Sequence, residues 1–275
     1  MLKLGDKGIA VIELQEFLNT QGANLKVDGD FGKLTQTAVI NYQIAHKMPV
    51  TGRIELTTNS DEKRIVSDFL SPTQYVGSKS AKRGVCLHHT ASGGDARAVR
   101  RVWDGDNRGR VATHFIVGSD GLILQAIPLD NWAYHIAMGR MGFGASHNNM
   151  INGGYIGIEI CNWGYLEQKK GKFYNYLDKE VPSNEAVKLD KPFRHYEYWH
   201  KYTDKQVDSV RWLLGYLRDK FGFEYENKLP LNEWWLELSF SAMRGERVLT
   251  THTNFEVGKW DCSPQENFFK MVKNL

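Results

Sequence analysis

Val85-Cys86-Leu87-His88-His89-Thr90 is an unbroken apolar run that ends on two adjacent histidines, and its reading decides the fold. Its length and apolar character predict a buried β-strand. A strand sends successive side chains to opposite faces, so His88 and His89 cannot both enter one site; one of them is a candidate and the other is not. Alone, such a pair suits a structural role at least as well as a ligand's. A second strand-like run, Val248-Leu249-Thr250-Thr251-His252, also ends in a histidine, and Lys259-Trp260-Asp261-Cys262 follows it within one loop. Two histidines with a thiolate or a carboxylate make the ligand count of a catalytic zinc that keeps one position open.

The segments around that strand supply it with partners. Ala96 to Trp103 suits a short helix with Val99 and Trp103 inward. Thr113-His114-Phe115-Ile116-Val117 and Leu122-Ile123-Leu124-Gln125-Ala126 read as two strands joined through Ser119-Asp120-Gly121, an Asp-Gly turn signal. Tyr155-Ile156-Gly157-Ile158-Glu159-Ile160 is a further strand, apolar except for one carboxylate. Burying such a group without a partner is costly, so Glu159 is either functional or a satisfied ion pair. Residues 161–202 are dense in Tyr, Trp, Lys and Arg without a clear period and read as a surface insertion whose aromatics line a groove or pack the insertion down. Thr203-Asp204-Lys205-Gln206 has the form of a capping box opening a helix with Val207, Val210, Leu214 and Leu217 on one face and Gly222 closing it. Trp234-Trp235 fits a core or an exposed patch equally.

Residues 1 to about 55 carry a separate pattern. Val11, Leu14 and Leu18 recur at helical spacing, as do Thr35, Ala38, Val39 and Tyr42, with Asp28-Gly29-Asp30 as the turn between them. From Arg53 to Arg83 the composition turns polar, which places a domain boundary near residue 60. At 275 residues, with 41% hydrophobic and 24% charged, the chain is long enough for one small and one medium domain. A net charge of +3 and a pI near 8.6 suit a polyanionic surface such as a bacterial envelope and fall short of a nucleic-acid footprint. Cys86, Cys161 and Cys262 are the only cysteines, so no disulfide framework is indicated. Neither a signal-peptide run at the amino terminus nor a membrane-span run elsewhere is visible. The expectation is a protein made in the cytoplasm.

Leu4-x-x-x-Gly8-x-x-Val11-x-x-Leu14-Gln15-x-x-Leu18-Asn19-x-x-Gly22, Val27-Asp28-Gly29-x-Phe31-Gly32-x-x-Thr35-x-x-Ala38-Val39-x-x-Tyr42-Gln43 and Val50-Thr51-Gly52 resemble the three-helix peptidoglycan-binding domain of cell-wall hydrolases. The resemblance implies a wall-contacting face around Asp28, Phe31, Gly32 and Thr35. Plain core packing explains Phe31 and Thr35 equally well.

Leu87-His88-His89-Thr90-Ala91, Thr113-His114-Phe115-Ile116-Val117-x-x-Asp120-Gly121, Trp132-x-Tyr134-His135, Ile156-Gly157-Ile158-Glu159 and the stretch from His252 to Pro264 together resemble the type-2 N-acetylmuramoyl-L-alanine amidases. That family includes phage endolysins and peptidoglycan recognition proteins. The single motifs are weak, whereas their order and spacing are specific. The implied fold is α+β (α/β-like): an N-terminal three-helix bundle over residues 1–60, then a mixed central β-sheet flanked by helices over residues 61–275, interrupted at about 161–202. The resemblance implies one zinc ion per chain, ligated by His88 and His252, with His89 facing away. It makes Glu159 the general base, Lys259 the oxyanion-stabilising cation and His135 a substrate-side histidine. His114 reads as structural. Some relatives carry a tyrosine where Thr113 stands, and its absence here shifts weight to Glu159.

The third ligand is where this chain departs from the family pattern. Relatives use Cys or Asp, commonly with the lysine two residues earlier. Lys259 lies two before Asp261, which favours the carboxylate, whereas the ten-residue step from His252 favours Cys262. Thiolate is a strong zinc ligand, and the expectation adopted is Cys262 with Asp261 beside it. The function implied is hydrolysis of the amide between N-acetylmuramic acid and L-alanine in peptidoglycan, by a monomer that waits in the host cytoplasm and then lyses the wall, with no nucleic-acid partner and no membrane insertion. The alternative is a recognition protein that binds peptidoglycan without cutting it; a complete ligand set separates the two.

Overall fold

The computed structural model describes residues 2–45, 49–54, 64–107, 109–136, 138, 141–225 and 236–275. They divide into two compact units, Met1–Lys63 and Arg64–Leu275. The expected boundary near residue 60 and the Trp234-Trp235 pair both lie outside the described residues.

The first unit contains helices α1 (Ile9–Thr20) and α2 (Lys33–Ala45). Val11, Leu14 and Leu18 from α1 meet Val39 from α2, together with Phe31 and Ile54 from the connecting segments. The three-helix bundle is not seen: two helices are present among the described residues of this unit. Two buried glutamines brace its turns in place of further helical packing. Gln15 Oε1 accepts from the backbone N–H groups of Asp28 (3.0 Å) and Gly29 (2.9 Å), and its Nε2 donates to Asp30 O (3.0 Å). Gln43 repeats the device on the 51–53 turn, accepting from Thr51 N and Gly52 N at 3.1 Å each and donating to Arg53 O at 2.7 Å. An amide offers a donor and an acceptor on one planar group, so it can pair buried turn backbone as a neighbouring strand would.

The second unit is built on a six-stranded mixed sheet. Its strands are β1 (Ile65–Ser67), β2 (Gly84–His89), β3 (Phe115–Val117), β4 (Ile123–Gln125), β5 (Tyr155–Ile160) and one that follows much later in the chain, Leu249–Thr251. The order is β1-β4-β3-β5-β2, with Leu249–Thr251 at the far edge. β2 lies between two parallel partners, β5 and Leu249–Thr251, and all six of its residues are buried. A central parallel strand is covered on both faces, which is why it reads as a continuous apolar run.

Strand alternation separates the faces. Val85 and Leu87 of β2, with Ile156, Ile158 and Ile160 of β5, face one cluster. Cys86 and Tyr155 lie in another, on the side that also carries His88 and Glu159. Between the strands lie helices α3 (Ala96–Asp104) and α4 (Ala145–Gly154). Asp95 caps α3 by accepting from Arg97 N at 2.8 Å, and Val99 is buried with Trp103 packed beside it.

The 161–202 stretch is a second sheet rather than an irregular insertion. Strands β6 (Tyr165–Lys169), β7 (Lys172–Tyr174), β8 (Glu180–Val181), β9 (Ala186–Phe193) and β10 (Tyr196–His200) pair antiparallel in the order β8-β7-β6-β10-β9. Its strands are short and mostly exposed, so little of the buried alternation that marks a strand in sequence is present. Leu189, Phe193 and Trp199 form its core, with Tyr165, Tyr196 and Trp260 packed against them.

Helix α5 (Asp204–Phe221) opens on a capping box and closes at Gly222 in the left-handed region (φ 69°), where glycine has no Cβ to clash. Its buried face of Val207, Val210, Leu213, Leu214 and Leu217 packs on the main sheet's first cluster. After α6 (Phe240–Met243), strand β11 (Leu249–Thr251) gives way to a single 3-10 turn over His252–Asn254, and α7 (Glu266–Lys273) joins α5 against the same cluster. No helix among the described residues is long and apolar enough to cross a membrane.

Candidate metal centre and active cleft

The parallel register of β2 and β5 sets His88 directly opposite Glu159, so both side chains emerge on one face. β11 runs along the other edge of β2, and its final pair, Thr251 with Leu87, hands the chain to the 3-10 turn that begins at His252. That turn is pinned by a reciprocal cap in which Thr251 N donates to Asn254 Oδ1 at 2.9 Å. The loop from Glu256 to Asp261 then brings a carboxylate back to the histidines.

Three donor atoms converge there. His88 Nδ1 and His252 Nδ1 are 3.1 Å apart, and Asp261 Oδ2 lies 3.2 Å from the first and 3.0 Å from the second. Tetrahedral zinc with ligands at about 2.0–2.1 Å separates them by about 3.3 Å, so the donors present fit the ion with one position open. Burial acts to raise the Asp261 pKa, yet the charges and hydrogen bonds of His252 and His88 outweigh it and hold the carboxyl well below its usual range. Burial drives His88 down to about 4, leaving it neutral, the form in which imidazole binds a metal. His252 Nε2 is buried and finds no hydrogen-bond partner among the described residues.

A second set of donors, Cys86, His88 and His135, also lies close together. Its Cys86 donor lies in the apolar cluster with Ile136, Met138 and Phe255, whereas the Asp261 carboxylate stands within 3.2 Å of both histidine nitrogens. The carboxylate set is therefore the better fit.

Sequence reasoning expects Cys262 as the third ligand, and the structure corrects this. Cys262 is fully buried in the core cluster that also holds Val85, Leu87 and Leu249, hydrogen-bonded to Tyr202, and burial raises its thiol pKa well above the ordinary value. The neighbouring Asp261 makes both histidine contacts. The carboxylate that the lysine spacing favours is the one that meets the histidines.

His135 stands beside the metal set and at the cleft wall. Its Nδ1 lies 3.0 Å from His88 Nε2 and its Nε2 lies 3.2 Å from Tyr155 O, so the ring stands behind His88 with both nitrogens engaged. Asn152 of α4, which gave no signal in the sequence, clamps that segment: its Oδ1 accepts from His135 N (2.7 Å) and Ile136 N (2.8 Å), and its Nδ2 donates to Ile136 O (2.9 Å). His89 turns to the opposite side, its Nδ1 3.4 Å from Tyr202 Oη and its ring edge-on to Trp199. His114 accepts from Gly157 N at 3.1 Å and stands 3.0 Å from Asn131 O, a bracing role. Thr113 donates to Phe115 O at 2.9 Å.

His88, His252, Asp261 and His135 line a cleft of roughly 990 Å³, whose polar groups include Glu159, Lys259 and Glu256. Burial, with the negative charge of Asp261 adding to it, pushes Glu159 up to about 8 against the pull of Lys259. The Lys259 ammonium, partly exposed, is 4.0 Å from Glu256 Oε2. In the other unit, the residues expected on a wall-contacting face divide. Phe31 and Thr35 are corrected to the interior, each 2% exposed; Phe31 fills the core, and Thr35 Oγ1 accepts from Gln15 Nε2 at 3.2 Å. Asp28 remains exposed, accepting from Gln15 Nε2 at 3.0 Å.

No curated protein sequence matches the chain. Among solved structures it is similar to the catalytic domain of XlyA (18% identity, TM-score 0.42, covering 76% of this chain and 97% of that one). It is also similar to a mutant endolysin from Bacillus subtilis (18%, 0.43, 76% and 96%) and to the N-acetylmuramoyl-L-alanine amidase LysCS from Clostridium intestinale URNW (15%, 0.38, 76% and 93%). Likeness at this level carries no argument by itself. The family models are decisive: residues 7–59 match a peptidoglycan binding domain and residues 78–261, about two thirds of the chain, match N-acetylmuramoyl-L-alanine amidase. The chain belongs to the N-acetylmuramoyl-L-alanine amidase family, as a modular amidase of peptidoglycan that carries a peptidoglycan-binding domain ahead of its catalytic one.

Proposed function

We propose that this amidase is a zinc enzyme that lyses the bacterial wall by cutting between N-acetylmuramic acid and L-alanine. The observation that carries this reading is the His88–His252–Asp261 triangle, with donor separations of 3.0–3.2 Å, on the same sheet face as Glu159. When bound, zinc supplies polarisation of the scissile carbonyl and a lowered pKa for the attacking water. His88, His252 and Asp261 would hold the ion. Glu159 takes the proton of the attacking water on its carboxylate and passes it to the leaving nitrogen of L-alanine, the two-way transfer expected of one general acid–base. The Lys259 ammonium faces the oxyanion that develops at the lactyl carbonyl. The first unit holds the enzyme on the wall, with Asp28 at its exposed surface, while the second cuts. A monomer carries the whole set, and release from the host cytoplasm brings it to the wall.

Purified peptidoglycan digested by the full chain and analysed by mass spectrometry tests the bond assignment: free L-alanine amino termini are expected, without newly reducing sugars. Exhaustive chelation with metal analysis tests the zinc. Loss of turnover that one equivalent of zinc restores is expected, and full hydrolysis by metal-free protein would overturn the assignment.

A further inference from the structure

His135 has no nitrogen left to offer a substrate. Its Nε2 lies 3.2 Å from Tyr155 O, and a carbonyl can only accept, so that nitrogen carries the proton. With the hydrogen on Nε2, the ring's Nδ1 is the nitrogen left to accept. His88 Nε2, 3.0 Å from that acceptor, must be the N–H donor of the pair. A neutral imidazole protonated at Nε2 has its lone pair on Nδ1, and Nδ1 is the His88 atom that faces His252 and Asp261.

We propose that His135 is a positioning residue that fixes His88 in its Nε2–H tautomer, presenting the Nδ1 lone pair to the metal. The role rests on the zinc reading above. Metal-bound histidines ordinarily hold their second nitrogen on a carboxylate, carbonyl or water; here a second imidazole does it and relays the constraint from the Tyr155 carbonyl. Two features hold the relay in place. The Asn152 clamp fixes the backbone of His135 at 2.7 Å. Gly157 of β5, facing the site, leaves the ring its room, since a Cβ there would lie 3.0 Å from His135 Nδ1 and 2.8 Å from Thr113 Cγ2.

The test uses the full chain in three forms: wild type, His135→Leu and His135→Asn, whose Oδ1 keeps an acceptor near the position of Nδ1. The ¹⁵N spectrum of metal-free wild type reads the tautomer directly and needs no variant; His88 protonated on Nε2 is expected, and protonation on Nδ1 overturns the proposal. Zinc affinity by chelator competition should fall about 10- to 100-fold in His135→Leu and recover most of that loss in His135→Asn. Wild-type affinity in His135→Leu also overturns it. If wild type itself binds no zinc, the metal reading fails on its own, and the spectrum still decides the tautomer.

Discussion

At residue 261 a carboxylate sits among donors, and at residue 262 a thiol sits in the core cluster that also holds Val85, Leu87 and Leu249. Asp261→Asn removes the anion from a set of three and should abolish stoichiometric zinc. Cys262→Ser should keep zinc, since its side chain is buried in the core with the Tyr202 hydroxyl as its hydrogen-bond partner. Metal analysis on both variants decides it, and the reverse pattern would restore the thiolate as ligand. Glu159→Gln should bind zinc normally and turn over about 10²–10⁴ times more slowly, the range for losing a general base. A second consequence concerns the metal-free protein. Folding lifts Glu159 from an ordinary 4.5 to about 8, so between those values the folded state holds a proton that the unfolded chain has released. Its contribution to stability is full below about 4.5 and is lost as the pH rises through 8. Melting curves of chelated wild type and Glu159→Gln from pH 5 to 9 should show the variant gaining on wild type as pH rises. A constant difference would mean that the carboxyl is solvated.

Between elements, the joints that matter are made by polar side chains at strand and helix ends. Thr203 Oγ1 accepts from Gln206 N at 3.1 Å and donates to Ser119 O at 2.7 Å. Gln206 returns the cap through Oε1, 3.1 Å from Thr203 N, and its Nε2 donates to Cys161 O at 2.8 Å. One box thus starts α5 and ties it to the ends of β3 and β5, the latter two residues past Glu159. Thr203→Ala should destabilise the second unit by about 0.5–2 kcal/mol, read as a lower midpoint in urea with an unchanged slope. The second sheet works through Trp260, which packs 4.7 Å from the Tyr165 ring and 6.0 Å from that of Tyr196. Because Trp260 lies between Lys259 and Asp261, that packing steadies the loop which carries both.

For the whole molecule, each unit has its own core, Val11, Leu14, Phe31 and Val39 in one and the β2-centred sheet in the other. A chain lacking residues 1–63 should therefore fold and cleave small soluble muropeptides at a rate close to the full chain's, while its affinity for insoluble wall falls. Sedimentation with purified sacculi, beside hydrolysis of a soluble muropeptide, measures the two separately. Unchanged sedimentation would remove the wall-holding role from the first unit, and an insoluble truncation would show that the second depends on it.

What the sequence determined by itself is whatever repeats along the chain or sits at one end of a repeat. The apolar run at 85–90 dictated a doubly covered strand, the run at 155–160 dictated its partner with one carboxylate, and Thr203 to Gly222 carried both ends of its helix. His88, His252, Glu159 and Lys259 stood out as candidates because each stands at a strand end or shortly beyond one. The tertiary structure alone decided between Asp261 and Cys262, since adjacent residues differ in environment only once the loop is folded against β2. It alone set His135 behind His88, because that contact joins residues 47 apart through a gap left by Gly157. It also turned 161–202 into a sheet, whose exposed strands bury too little to leave a periodic trace, and sent Phe31 and Thr35 inward, where a short helical unit had few other groups with which to fill its core.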